Sequence, residues 1–372
     1  MSFDTLTLFR DFSEDNRTSM DVYADNLERS LRLLSGDAFR ITPYTPLIPD
    51  WITKCRLPLG FGIRFSRYFS YPNQAKKNQG TINHIVDQSY GHLLRAVDSS
   101  RTVITVHDLI PVLAWKGLIP GLSYPHFPLL YKLTIASLSK ANAIIAVSHN
   151  TKRDLIIHCG LNESDITVIY NGIAPCFHAK KADERRELRA GFGVSLQESH
   201  VVLITGHQSY KNHQTSFQVI KGLQAKLKGP IHLIWLGGGR DECHKYIREI
   251  GLTCEVTCLT GLSVDRLVDL YNSADCLLFP SWYEGFGWPP LEAMACGTPV
   301  VASNSGPLPE VVGDAAITCD PGDIQGLVDG VMTMLDDEKA RFEYVQRGFE
   351  NVRGFTWENC ASNVLKLYRN IS

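Results

Sequence analysis

The sequence predicts an α/β protein of two Rossmann-like domains facing a cleft. Three observations lead there. Short apolar or β-branched runs recur along the chain, at 102–106, 143–148, 201–206, 231–236 and 275–279, each the length of a buried parallel strand. Segments with helical spacing alternate with them, as at Val22, Leu27, Leu31 and Leu34. The chain has 372 residues, the length of two ordinary domains, and a linker is expected at 174–183. The expected domains are therefore 1–175 and 183–350.

Each element follows in order. Residues 5–9 form a short strand that leads into a polar loop, 10–19, and then the first helix. Residues 84–87 end a strand, followed by Gln88-Ser89-Tyr90. The β-branched strand 102–106 runs into His107-Asp108-Leu109-Ile110-Pro111. Ligands gather at the carboxyl ends of strands in open α/β sheets, so His107 and Asp108 are a candidate polar cluster. The plainer reading is a structural histidine at a strand end. Ser148 is placed to cap the helix after the next strand. Residues 167–173 end in the turn Asn171-Gly172.

The second half restarts with strand 201–206 and a glycine turn, then a helix to Leu227. Gly206 permits close backbone approach, and Lys211 is a cation able to neutralise a diphosphate. A solvated lysine is the alternative. The strand 231–236 ends in Gly237-Gly238-Gly239, but the third glycine of a dinucleotide fingerprint would fall on Glu242, which rejects a Rossmann dehydrogenase. A strand at 255–262 ends in the turn Thr260-Gly261-Leu262. A helix with Leu267, Leu270 and Tyr271 facing the core comes next. Helices are expected at 323–335 and from 355 onward.

Composition narrows the class. Hydrophobic residues make up 44% and charged residues 20%, as in a globular chain, and a net charge of −2 argues against nucleic-acid binding. No apolar run reaches membrane-spanning length, and the N-terminus lacks a signal-peptide pattern, so a cytoplasmic location is expected. The 10 cysteines are scattered singly, and the pair Cys254 and Cys258 has no second pair at zinc spacing. No metal or cofactor is expected. One region stands out: from 51 to 77, aromatics such as Trp51, Phe65 and Phe69 interleave with Lys54, Arg56, Arg64, Arg67, Lys76 and Lys77. Two readings apply: a structured insertion with core aromatics, or a patch that touches an anionic membrane surface at its inner face.

The most informative stretch is 279–297, Phe-Pro-Ser-Trp-Tyr-Glu-Gly-Phe-Gly-Trp-Pro-Pro-Leu-Glu-Ala-Met-Ala-Cys-Gly. It passes from a strand tip through Gly285 and Gly287 into a helix started by Pro289 and Pro290 and closed by Gly297. Such a loop aims backbone N–H groups and a positive dipole end at an anion. It carries Glu284 and Glu292, whose carboxylates accept hydrogen bonds from sugar or ribose hydroxyls. A solvated loop acid and a dipole-favoured acid are the alternative.

This stretch resembles the signature of the retaining family 4 (group 1) glycosyltransferases of the GT-B fold. The pattern Pro-Ser, two residues, Glu-Gly-Phe-Gly, then Pro-x-x-Glu-Ala-Met-Ala-Cys-Gly-x-Pro-Val-Val is matched through Val301, and the continuation to Ala316 fits. The resemblance implies a hexosyltransferase that uses a nucleotide-diphospho-sugar. Glu284 would contact the donor sugar, with Gly285, Phe286 and Gly287 nearby, and Glu292 the ribose. Gly206 and Lys211 would meet the diphosphate, and Thr260, Gly261 and Leu262 would line the base pocket. The family's phosphate-binding Arg is absent; His207 or Tyr210 stands there. The family's His-Asp-Leu segment places His107 near the transferred sugar, so the implied catalytic set is His107, Glu284 and Lys211. Ser19, Asp87, Tyr90 and Asp108 are acceptor-side candidates, although Thr18-Ser19-Met20 stand where the family often has glycines. The helix from 355 to 372 would pack back on the first domain. The His107 segment looks like that of mannosyltransferases, which favours GDP-mannose over a UDP-sugar and implies a glycan or lipid-linked acceptor. A degenerate nucleotide-sugar-binding protein and a nucleotide-sugar epimerase are the competing classes.

Overall fold

The computed structural model describes residues 4–50, 52, 59–124, 128–194 and 199–371. The chain divides into two compact units. One comprises Met1–Lys116, Tyr124–Gly172 and Phe355–Ser372, the other Gly117–Ser123 and Ile173–Gly354.

The first unit holds a six-stranded sheet in the order β2-β1-β3-β4-β5-β6. Its strands are β1 (Asp4–Phe9), β2 (Phe39–Tyr44), β3 (Ile82–Ile85), β4 (Thr102–Val106), β5 (Ala143–Ala146) and β6 (Ile166–Val168). All neighbouring strands are parallel. Helices cover both faces, so β3, β4 and β5 are buried at every residue. The chain steps from β1 to one side and returns on the other as β3. The strand order therefore reverses between β1 and β3.

The C-terminal helix Trp357–Arg369 belongs to this unit. Its Tyr368 hydroxyl meets His84 Nδ1 at 2.5 Å, and His84 Nε2 lies 2.8 Å from the Thr105 hydroxyl. Burial pushes the His84 imidazole down to about 3, so it is a neutral bridge between β3, β4 and the helix. Gly172 lets the helix start close by: a Cβ there would sit 2.3 Å from the Trp357 nitrogen.

The second unit holds a six-stranded sheet in the order β12-β11-β10-β7-β8-β9. Its strands are β7 (His200–Thr205), β8 (Ile231–Leu236), β9 (Glu255–Leu259), β10 (Cys276–Phe279), β11 (Val300–Ser303) and β12 (Ala316–Cys319), again all parallel. On one face Phe217 packs edge-on against Trp235 at 5.5 Å, beside Ile204, Leu278, Val301 and Val331. Cutting Phe217 to Ala would cost about 3–5 kcal/mol. Here the strand order reverses between β7 and β10.

Two local outcomes differ from the sequence reading. Thr18, Ser19 and Met20 are the first turn of the helix Thr18–Ser35 and not a loop. The basic, aromatic region 51–77 divides. Trp51, Lys54 and Arg56 lie outside the described residues. Tyr71 is a core residue, edge-on to Phe12 at 5.5 Å and Tyr90 at 5.4 Å. Phe69 is 59% exposed and stacks on Phe65. Among the described residues no helix is long and apolar enough to cross a membrane.

Candidate functional site

In an open α/β sheet the loops diverge where the strand order reverses, and the crevice left at the carboxyl ends is the natural ligand site. In the second unit that point is the pair β7 and β10. Gly206 follows β7 directly, with φ +90°, a conformation that favours glycine. A Cβ at Gly206 would also lie 2.8 Å from Lys211 Cγ. The residue is thus bare because the Lys211 stem lies against it. A short turn, Ser209–Lys211, ends at Asn212, itself left-handed at φ 60°. Asn212 Nδ2 donates to the Pro280 and Pro321 carbonyls at 3.0 and 2.8 Å, which ties the Lys211 turn to the loop after β10. Trp282 N–H closes the same joint by donating to the Tyr210 carbonyl at 2.8 Å.

That joint delivers Lys211 to Glu284. The ammonium lies 2.8 and 3.0 Å from the two carboxylate oxygens, and both side chains are about nine-tenths buried, at 11% and 9% exposure. Lys211 Nζ also sits 4.8 Å from the Phe279 ring centroid. The pair places a cation and an acceptor carboxylate side by side, the two groups needed by a diphosphate and by a sugar hydroxyl.

The helix Trp288–Ala295 starts at Gly287, whose φ is 109°. Pro289 and Pro290 have no N–H, so the first turn offers fewer donors than the sequence pattern suggests. The dipole remains, but amides for an anion must come from the loop itself. Gly285, Phe286 and Gly287 lie on that loop, with Phe286 buried and edge-on to Trp288 at 6.4 Å. Further into the helix, Glu292 Oε2 accepts from the Tyr271 hydroxyl at 2.7 Å. Burial pushes the Glu292 carboxyl up to about 7, against the lowering effects of Tyr271 and Lys211. Thr260, Gly261 and Leu262 follow β9, with Gly261 left-handed at φ +64°. They sit at the same edge of the sheet, beyond β8 from the Lys211 turn.

The first unit has its own polar cluster at its reversal point. Asp87 follows β3 and is fully buried; it takes Arg17 Nη1 at 2.5 Å and the Ser89 N–H at 2.7 Å. Beside it lies Asp11, buried, its carboxyl within hydrogen-bonding reach of that of Asp87. Burial and then the charge on Asp87 push the Asp11 carboxyl up to about 10. Against its own burial, Asp87 is held below the usual carboxylate range by Arg17. One carboxyl is therefore protonated and the other ionised at pH 7. Asp15 continues the cluster, taking Arg67 and the Tyr90 hydroxyl, and Tyr90 accepts from the Phe12 N–H at 3.2 Å.

His107 follows β4 and is 5% exposed. Its Nε2–H donates to the Val86 carbonyl at 2.8 Å, since a carbonyl only accepts, and Nδ1 keeps the lone pair. Its ring meets Tyr23 edge-on at 4.7 Å. Burial holds it below the usual imidazole range despite Asp87, so it is neutral at pH 7. Asp108 accepts from the Ile110 N–H at 2.9 Å and so steers the loop into the helix Ile110–Trp115. Ser19 sits in the first turn of the helix Thr18–Ser35.

Sequence reading missed Asp11, Arg17, Asn212 and the polar role of Tyr271. Each acts through a partner distant in the chain. Only Asn212, in the Lys-Asn pair, had a local signal.

Two parallel six-stranded sheets, each with one reversal of strand order, are the architecture of the GT-B fold. Residues 184–351 match the family described as Glycosyl transferases group 1, and residues 36–175 match Glycosyltransferase Family 4. The chain belongs to these group 1, family 4 glycosyltransferases. Over 148 residues, 40% of the chain, it is 44% identical to the "O-antigen chain mannosyltransferase B" of Escherichia coli, and covers 39% of that protein. Over 266 residues, 70% of the chain, it is 28% identical to the "Serotype-specific mannosyltransferase WbdA" of Escherichia coli, and covers 32% of it. The matches thus span well under half the length of either relative. Among solved structures, that of "Anabaena Alr3699/HepE in complex with UDP-glucose" shares the fold, with a TM-score of 0.75 at 18% identity over 99% of this chain and 100% of that one.

Proposed function

We propose that this chain is a retaining hexosyltransferase that moves mannose from GDP-mannose to a glycan or lipid-linked acceptor. The observation that carries the reading is the Lys211–Glu284 pair at the carboxyl edge between β7 and β10. Lys211 and the loop amides at 284–288 stabilise the departing diphosphate, a term that commonly dominates such rates. Glu284 accepts from a hydroxyl of the donor sugar, and Glu292, held by Tyr271, accepts from the ribose. The bond from the anomeric carbon to the phosphate oxygen breaks, and the bond to the acceptor oxygen forms on the same face. The acceptor proton passes to the phosphate oxygen. No acid–base pair with hydrolase spacing is needed.

Mannose is favoured by the two Escherichia coli relatives whose names say mannosyltransferase. The UDP-glucose bound by the Anabaena neighbour keeps UDP-hexoses as the second reading. Incubation with GDP-mannose, UDP-glucose or UDP-galactose, with and without a mannosylated acceptor, tests both. Slow release of free mannose and GDP from GDP-mannose alone, and faster consumption with acceptor, is the expected result. Isomerised donor would indicate an epimerase, and an unchanged donor that still binds would indicate a binding protein.

A further inference from the structure

The second unit carries a second concave feature, at the amino edge of its sheet. Ser199, Asp275 and Pro299 immediately precede β7, β10 and β11, and all three line one cavity of about 680 Å³. That volume is in the range of small-molecule sites. The strands between it and the Lys211 turn are 4–6 residues long, so the two places are separated by roughly 13–20 Å of strand.

The charge in this cavity is unbalanced. Arg185, Arg186, Arg189 and Arg341 line it. Arg189 is matched by Asp275 at 2.6 Å, and also caps the Ser273 carbonyl. Arg185 forms no ion pair among the described residues; it donates to the carbonyls of Asn272, Gly297 and Ala274 and to the Thr298 hydroxyl, at the end of the helix Val264–Ser273 and beyond it. Arg186 and Arg341 have side chains with no hydrogen bond or ion pair among the described residues. Burial, helped by the charges of Arg189 and Arg341 and opposed by the Asp275 carboxylate, holds the Arg185 guanidinium below its usual range. Among the described residues the one other acid in the lining is Glu338. Among the described residues two guanidinium groups, those of Arg186 and Arg341, meet no carboxylate and share this concavity with Arg185, and Phe342, 62% exposed, gives it an apolar wall.

Guanidinium forks match phosphate oxygens, and a concave wall raises their effect over that of dispersed surface charge. We propose that this amino-edge cavity is a second binding site, for a phosphorylated molecule, with Arg186 and Arg341 on the phosphoryl oxygens, the Arg185 charge behind them and Phe342 against its apolar part. The site is separate from the Lys211–Glu284 pair and does not rest on the function proposed for that pair. A free phosphate ester and the headgroup of an anionic lipid share this chemistry.

Full-length protein with Lys211→Ala, which disables the carboxyl-edge cation, is titrated with inorganic pyrophosphate by calorimetry. Separately, it is sedimented with phosphatidylglycerol vesicles and with neutral phosphatidylcholine vesicles. Both assays are repeated with Arg186→Glu and Arg341→Glu added. Those two side chains hold nothing else, so the fold tolerates the change; Arg186→Gln with Arg341→Gln, checked by thermal melting, guards against misfolding. The expected result is binding in the Lys211→Ala protein that weakens with salt and falls at least about tenfold on charge reversal. Loss of pyrophosphate binding alone identifies a soluble ligand, and loss of vesicle binding identifies a lipid. If neither probe binds, or if charge reversal in a folded protein changes neither, the proposal is wrong.

Discussion

Lys211 and Glu284 are 73 positions apart in the chain and share one contact: the ammonium lies 2.8 and 3.0 Å from the two carboxylate oxygens. The pair is mostly buried, so neither charge is solvated enough to stand alone. Lys211→Met or Glu284→Gln alone should each cost about 1–3 kcal/mol in urea unfolding. The double variant should lose less than the sum of the singles, with a coupling of about 1 kcal/mol or more. Transfer, by contrast, should fall at least about 100-fold in each single variant and not recover in the double. Additive stability losses with normal turnover would separate the pair from the chemistry.

Gly206 supports that pair through space left empty. Its φ of +90° disfavours a side chain, and a Cβ there would lie 2.8 Å from Lys211 Cγ, so a methyl group must push the lysine stem aside. Gly206→Ala should cost about 1–3 kcal/mol and displace the lysine stem. Donor KM, read from initial rates, should rise at least about tenfold if the ammonium leaves its place. An unchanged KM with lowered stability would show that the lysine adjusts.

Glu292 supplies a pH signature. Burial pushes its carboxyl up to about 7 in the folded chain from an ordinary 4.5, so the folded state binds the extra proton between these values. Folding stability from this group is therefore highest below about pH 4.5, falls as pH rises toward 7, and stays lower above it. In the proposed donor complex the ionised carboxylate accepts from the ribose, so donor binding has the opposite sign. Between pH 6 and 8 donor affinity should rise up to about tenfold, and Glu292→Gln should flatten that slope and the matching slope in Tm. A wild-type donor affinity that is flat across this window would remove Glu292 from the ribose.

In the first unit the two carboxyls of the Asp11 and Asp87 pair should respond unequally to the same change. Asp11 is already protonated at pH 7, so Asp11→Asn should shift stability by less than about 1 kcal/mol. Asp87→Asn strips the charge that holds Arg17 and should cost about 2–3 kcal/mol by chemical denaturation at pH 7. Equal effects would mean that the two share the charge.

These contrasts mark how far local sequence reaches. Strands such as β5 and β10 were legible because both faces are buried, which leaves an unbroken apolar run. The loop at 284–287 was legible because its glycines and acids are consecutive. The order of strands was not, since hydrophobic periodicity carries no pairing information. For the same reason the reversal between β7 and β10, which fixes where the site lies, appears only in the fold. The start of the first helix at Thr18 was hidden because Arg17, its capping residue, makes no side-chain cap and spends its guanidinium on Asp87. Tyr271 read as core because its apolar ring is; only the fold shows its hydroxyl on Glu292.

The most direct test is a crystal structure of the chain with GDP and, separately, with UDP. The account predicts the diphosphate at the carboxyl edge between β7 and β10, with an oxygen about 3 Å from Lys211 Nζ and a ribose hydroxyl on Glu292. A nucleotide bound elsewhere on the second unit, with the Lys211–Glu284 pair untouched, would contradict it.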